Sequence, residues 1–227
     1  MKHRKNFKLN YAIIGLGRFG SALAKELARS GAEIMVLDKD EEKVREMREL
    51  TENAFVVNGY DKRALSETGV QDCDVAVVCI GEKIDTSILM TLNLVELGVP
   101  KVIAKAASEE HGKILEKLGA DVVFPERDMA VRLAHRLESA HTLDYIQLSE
   151  KVNITKLALP DSAVDKTVQQ VNLRGRFGLN IIAIERADRV VEYVRPDHTF
   201  RTGDILYLAG TREEFNRLAE WIESTGK

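Results

Sequence analysis

Apolar positions along this chain fall into two patterns. Short runs at 11–14, 34–37, 54–57, 75–80, 102–104 and 122–124 are apolar without strict alternation, as strands buried on both faces of a parallel sheet are. Between them, 19–29, 41–50, 85–97 and 109–118 carry apolar residues at helical spacing. Six strands with intervening helices predict right-handed crossovers and a Rossmann-type, doubly wound parallel α/β sheet. A further helix presents Ala130, Leu133, Ala134 and Leu137 at i, i+3, i+4 and i+7, one apolar face.

The pattern changes near residue 140. Runs at 152–159, 180–186, 190–194 and 205–209 read as strands, with turns at Ala187-Asp188 and Gly203-Asp204. The chain ends in a helix with a capping box, Thr211 at the N-cap and Glu214 at N3, and an apolar face of Phe215, Leu218, Ala219 and Ile222. Residues 1–140 therefore read as one domain. Residues 141–227 read as a linker (139–150) followed by a small α+β domain. No internal repeat or low-complexity stretch is present.

Candidate chemistry begins at the first strand–helix turn. Gly15-Leu-Gly17-Arg-Phe-Gly20 is a full G-x-G-x-x-G: Gly15 makes the tight turn, Gly17 admits a pyrophosphate and Gly20 lets helix meet strand. The helix start adds unpaired N–H groups and the positive end of a dipole. The bland alternative is a glycine-rich turn that binds nothing, but the motif follows a strand and opens a helix, as the fingerprint requires. Asp38 ends the second run eighteen residues after Gly20, where a carboxylate accepts from ribose hydroxyls and repels a 2′-phosphate. That favours NAD(H), ATP or ADP over NADP; the alternative is a surface Asp opening a turn. Arg18 could reach beyond a β-phosphate as a fork-shaped donor, and reads equally as an exposed arginine on a first helical turn.

Composition narrows the function classes. A net charge of −3 and a pI near 6.0 give no support to nucleic acid as partner. The basic start Met1-Lys2-His3-Arg4-Lys5 is a tail, and no run approaches the length a bilayer or a signal peptide requires. Cys73 and Cys79 are too few for a disulfide scaffold and read as a strand edge and a strand interior, so a cytosolic protein is expected. None of the five tyrosines has a lysine four residues on, no G-x-S-x-G occurs, and His3, His111, His135, His141 and His198 form no metal-binding pair. Each histidine reads as a surface residue. The chain reads as a binding protein without catalytic residues. A small NAD-dependent oxidoreductase and a soluble NADH-sensing regulator are the rival readings.

With these residues assembled, the chain resembles, essentially end to end, the RCK (KTN) regulatory proteins of bacterial potassium uptake of the Ktr/Trk type. The carrying segments are 11–20, Val78-Cys-Ile-Gly81, Ile103-Ala-Lys-Ala106, Leu115-Glu-Lys-Leu-Gly-Ala-Asp121 and Phe124-Pro-Glu-Arg-Asp-Met129. In the second half they are Leu173-Arg-Gly-Arg-Phe-Gly178, Asn180-Ile-Ile-Ala-Ile184 and Gly203-Asp-Ile-Leu206. The resemblance implies dimers assembling into an octameric ring, peripheral on the cytosolic face of a separate potassium-conducting membrane subunit and switched by ATP and ADP, or by NAD(H). It implies phosphate contacts from Gly15, Gly17, Phe19 and Gly20, with Arg18 as γ-phosphate sensor. It further implies ribose and adenosine contacts from Asp38, Lys39, Asn58 and Gly59. Ile80, Gly81 and Lys105 would line the phosphates, and Glu126 would hold Mg²⁺ or another divalent cation at a subunit contact. Many relatives read Gly-Asp-Ala-Thr-Asp after the third strand, where this chain has Asn58-Gly-Tyr-Asp61; losing an acid at 58 fits ATP/ADP better than NAD(H). Some relatives bind cyclic di-AMP in the second domain, where Arg174, Asn180, Ile182 and Pro196 match; ordinary dimer packing is the other reading. The length suits a single two-domain unit without tandem duplication.

Overall fold

The structure is a computed structural model that describes residues 9–58, 61–137, 142–149, 151–187 and 189–225. By its internal contacts the chain divides into residues 1–125 and 126–227.

The first unit runs β1 (Asn10–Ile14), α1 (Arg18–Arg29), β2 (Glu33–Asp38), α2 (Glu41–Met47), β3 (Ala54–Val56), α3 (Lys62–Glu67), β4 (Val75–Val78), α4 (Ile84–Glu96), β5 (Lys101–Lys105), α5 (Glu109–Lys117) and β6 (Asp121–Val123). All six strands are parallel, in the order β3-β2-β1-β4-β5-β6. The period of two sends alternate residues to opposite cores. Ile13, Val36 and Val77 enter one with Ala24 of α1 and Val44 of α2. Ala12, Ile14, Leu37, Ala76 and Val78 enter the other with Met90 and Leu94 of α4 and Leu115 of α5. Both faces are covered, so the strands need no polar residues. The expected run at 75–80 ends as a strand at Val78; Cys79 and Ile80 belong to the turn that follows. The helix α3 lies where no element was expected, started by Asp61, whose side chain accepts from Ala64 N–H.

The second unit comprises α6 (Pro125–Leu137), which opens at the division, then β7 (Thr142–Gln147), β8 (Asn153–Ala158), α7 (Val168–Val171), α8 (Leu173–Phe177), β9 (Asn180–Arg186), β10 (Arg189–Val191), β11 (Ile205–Gly210) and α9 (Arg212–Thr225). The five strands form an antiparallel sheet in the order β10-β9-β11-β8-β7. The segment read as a linker thus holds β7, paired with β8 through Tyr145↔Thr155 and Ile146↔Ile154; its apolar residues Leu143, Tyr145 and Ile146 break strict alternation, which weakens the strand signal. Leu157, Ile184, Leu206 and Leu208 meet Leu173, Phe177, Phe200, Leu218 and Ile222 in the core. The capping box of α9 forms as expected: Thr211 N–H donates to Glu214 at 2.8 Å, and Glu214 N–H to the Thr211 hydroxyl at 3.3 Å. Asp204 is buried and takes a two-pronged hydrogen bond from Arg186 plus the Arg201 N–H at 2.9 Å. Burial pushes its carboxyl up, but the Arg186 and Arg201 bonds outweigh it and hold the group below its ordinary range.

Candidate nucleotide site

The strand order reverses direction at β1, which pairs with β2 on one side and β4 on the other. In open α/β sheets a crevice forms beyond the carboxyl ends of the strands at such a switch point. Gly15–Gly20 follow β1, Asp38 and Lys39 stand at the end of β2, Asn58 follows β3, Ile80 and Gly81 follow β4, and Lys105 ends β5. The topology therefore brings these expected residues to one end of the sheet. Gly59 lies outside the described residues. Glu126 sits exposed in the first turn of α6, in the second unit.

The glycines differ in what demands them. Gly15 has φ +94°, and its N–H donates to Leu37 O at 2.8 Å, tying the loop to β2. A Cβ on Gly20 would stand 1.9 Å from Gly15 O, so nothing larger allows α1 to meet the strand end. Gly17, the N-cap of α1, has no such demand within the chain: a Cβ there meets nothing within 4 Å. Its surroundings are open, as close approach of a ligand to the backbone requires, and no side chain caps the helix start. Those N–H groups and the open space above them fit a phosphate.

Asp38 performs a task not visible in sequence. Its carboxylate accepts from Leu16 N–H within the glycine loop and from Asp40 N–H at 2.9 Å. Each oxygen retains a further acceptor site, so the clamp leaves room for ribose hydroxyls. The second strand's end thereby sets the height of the loop that follows the first.

Lys105 reaches back across the end of β4. Its terminal carbon and ammonium stand 3.3 Å from where a Cβ on Gly81 would lie, and the ammonium is 6.0 Å from the centre of the Phe19 ring on α1. Below them lies the buried thiol of Cys79: burial pushes it up to about 12, against the opposing charge of Lys105. At that value the group is a neutral, inert thiol at physiological pH. Arg18 is the first residue of α1 and is exposed, as are Lys39 and Asn58; Phe19, Ile80 and Lys105 are half-buried.

One histidine departs from expectation. His111 in α5 is buried, and its Nδ1 accepts from Ala107 N–H at 3.2 Å, bracing the turn after Lys105. Burial lowers its tendency to protonate. Among the described residues no three His, Cys, Asp or Glu side chains gather as a metal site, and no helix is long and apolar enough to cross a membrane. In the second unit Arg174, Asn180, Ile182 and Pro196 are all exposed.

Known proteins share the fold of both units. Residues 11–126 match the TrkA-N domain family and residues 155–223 the TrkA-C domain family. The chain is 37% identical to the Ktr system potassium uptake protein C of Bacillus subtilis, over 96% of this chain and 99% of that one. It is 35% identical to the Ktr system potassium uptake protein A of the same organism, over 91% and 94%. Among solved structures, the GsuK channel superposes with a TM-score of 0.50 at 26% identity, covering 96% of this chain and 39% of that one. The TrkA-N domain of the inner membrane protein ybaL from Escherichia coli gives 0.51 at 21%, covering 58% and 97%, and supports the fold of the first unit. From its first strand to its last helix, the chain belongs to the family of proteins built from a TrkA-N and a TrkA-C domain, the family of the Ktr potassium uptake proteins.

Proposed function

We infer that this protein is a cytosolic, non-enzymatic regulatory subunit of Ktr-type potassium uptake, gating a separate potassium-conducting membrane subunit from its inner face in response to an adenine nucleotide. The observation that carries the reading is the open glycine loop at the switch point, clamped by Asp38 and faced by Lys105, in a chain matching Ktr proteins over nearly all their length. Gly15, Gly17 and Gly20 hold the phosphates, Asp38, Lys39 and Asn58 lie toward the adenosine, and the resemblance adds Gly59 to that group. Arg18, exposed at the start of α1, senses a γ-phosphate that ATP offers and ADP lacks. Only such a difference in affinity between two shapes can move an equilibrium. Glu126 supplies a carboxylate to a divalent cation shared between subunits.

Self-association has its own support. The α6 face expected to be apolar is exposed, with Leu133 at 47% and Leu137 at 77%, and Leu89 of α4 is 48% exposed. Apolar residues grouped on one helix face ask for cover, and further copies in a dimer-based octameric ring provide it. In the second domain, Arg174, Asn180, Ile182 and Pro196 offer a surface for cyclic di-AMP.

Calorimetric titration of the nucleotide-stripped protein with ATP, ADP and NADH, with and without Mg²⁺, tests the reading. Tight ATP and ADP binding with weaker NADH supports it, and Mg²⁺ dependence that vanishes in Glu126→Gln supports the cation site. NADH binding alone withdraws the role of Arg18, as does Arg18→Ala that still separates ATP from ADP.

A further inference from the structure

We propose that Phe19 and Gly81 form a seat that fixes the Lys105 ammonium over the switch-point crevice, making both positioning residues for the cation that meets the ligand's phosphates. The proposal rests on the nucleotide reading above and assigns work to two residues whose own chemistry is apolar.

A lysine is a compact charge on a flexible four-carbon stem. Left mobile, it would have to be ordered at the moment of binding, at a cost to affinity. Three observations place it beforehand. The Phe19 ring on the first turn of α1 lies 6.0 Å from the ammonium, at the outer reach of a cation–π attraction. Gly81 is not in the left-handed region, so no backbone demand requires glycine there; the three atoms nearest to a Cβ at this position are all at the tip of Lys105. The charge of Lys105 is also felt by Cys79, two residues before Gly81. Thus the side chain leaves β5, crosses the end of β4 through the space Gly81 keeps free, and ends near α1, whose open N-terminus faces the same crevice.

The two positions can be probed with little harm to the fold. In Gly81→Ala the nearest atoms to the methyl group belong to the flexible end of Lys105, at 3.3 Å, so the ammonium gives way while the backbone stays. Phe19→Leu keeps an apolar side chain against the core beneath α1 and removes the ring.

Two measurements test the seat. In the ligand-free protein, lysines are dimethylated with carbon-13, and the Lys105 signal is assigned by its loss in Lys105→Gln. The expected result is a ring-shifted Lys105 signal that moves toward the exposed-lysine position in Phe19→Leu and shifts in Gly81→Ala. A signal unmoved by both substitutions overturns the seat. In calorimetric titrations, each substitution should weaken ADP roughly three- to tenfold while leaving adenosine unchanged, and neither should weaken ADP further in a Lys105→Gln background. Full additivity with Lys105→Gln, or equal losses for adenosine and ADP, overturns the positioning role. Failure of the wild-type protein to bind ADP overturns the nucleotide reading instead, and the Lys105 signal still decides the seat.

Discussion

At the scale of single residues, the glycine loop makes opposite predictions for neighbouring glycines. Gly20→Ala drives a methyl group to 1.9 Å from Gly15 O, so the first unit should lose on the order of 3 kcal/mol or more, read by urea denaturation. Gly17→Ala meets nothing and should leave that curve within about 0.5 kcal/mol, while its methyl group obstructs the phosphates and weakens nucleotide binding. Equal effects of the two on stability would contradict the division of labour drawn here. Ala187 offers a gain: it holds φ +46° in the β9–β10 turn, a conformation that disfavours a Cβ. Ala187→Gly should stabilise by about 0.5–1 kcal/mol. The motif could be read in sequence because glycine spacing is local. The Asp38–Leu16 clamp could not, since it joins residues 22 apart through a backbone N–H that no residue type announces.

Strands of the double-sided core were the most legible elements. β1, β2, β4 and β5 run through the double-sided core, and their patterns are unmistakable. The helices α3, α7 and α8, of six, four and five residues, are too short to show a helical period and passed unseen, as did the edge strand β7. Two element-level contacts should show in stability. Thr211→Ala removes the α9 cap hydroxyl and should cost about 1 kcal/mol. Asp204→Ala removes the buried carboxylate that takes the Arg186 fork and the Arg201 N–H and should cost about 1–3 kcal/mol, the partly exposed Arg186 turning to water. Because the Asp204 carboxyl is held below its ordinary value of 3.8, its contribution is complete above that pH and is lost as pH falls through the folded-state value. His111 acts at a higher pH. Burial lowers it from 6.5, so below about pH 6.5 the unfolded chain takes up the proton first and the first unit weakens. His111→Gln should flatten the stability profile below about pH 6.5; an unchanged profile would mean that His111 does not titrate on unfolding.

For the whole molecule, both units were legible because a parallel α/β pattern gives way to antiparallel strands near one point in the sequence. The division falls at 125/126, earlier than the expected 140, and Arg132 of α6 pairs with Asp144 of β7 beyond it. If the α6 face is covered by further copies, Leu133→Glu combined with Leu137→Glu should lower the mass seen by light scattering while each subunit stays folded by circular dichroism. An unchanged mass would place the contact elsewhere. The sheet order also has a kinetic consequence. β1 lies at the centre, and the contact that closes its second side joins Asn10 to Asp74, 64 residues apart. The glycine loop is made well before its floor, Cys79 and Ile80. A nascent chain therefore carries the motif for some 60 residues before it can have the site, and loop closure over that span is a slow, non-local step. A nucleotide held as proposed would therefore meet only a chain that has already completed its central pairing, and would favour the finished fold without nucleating it.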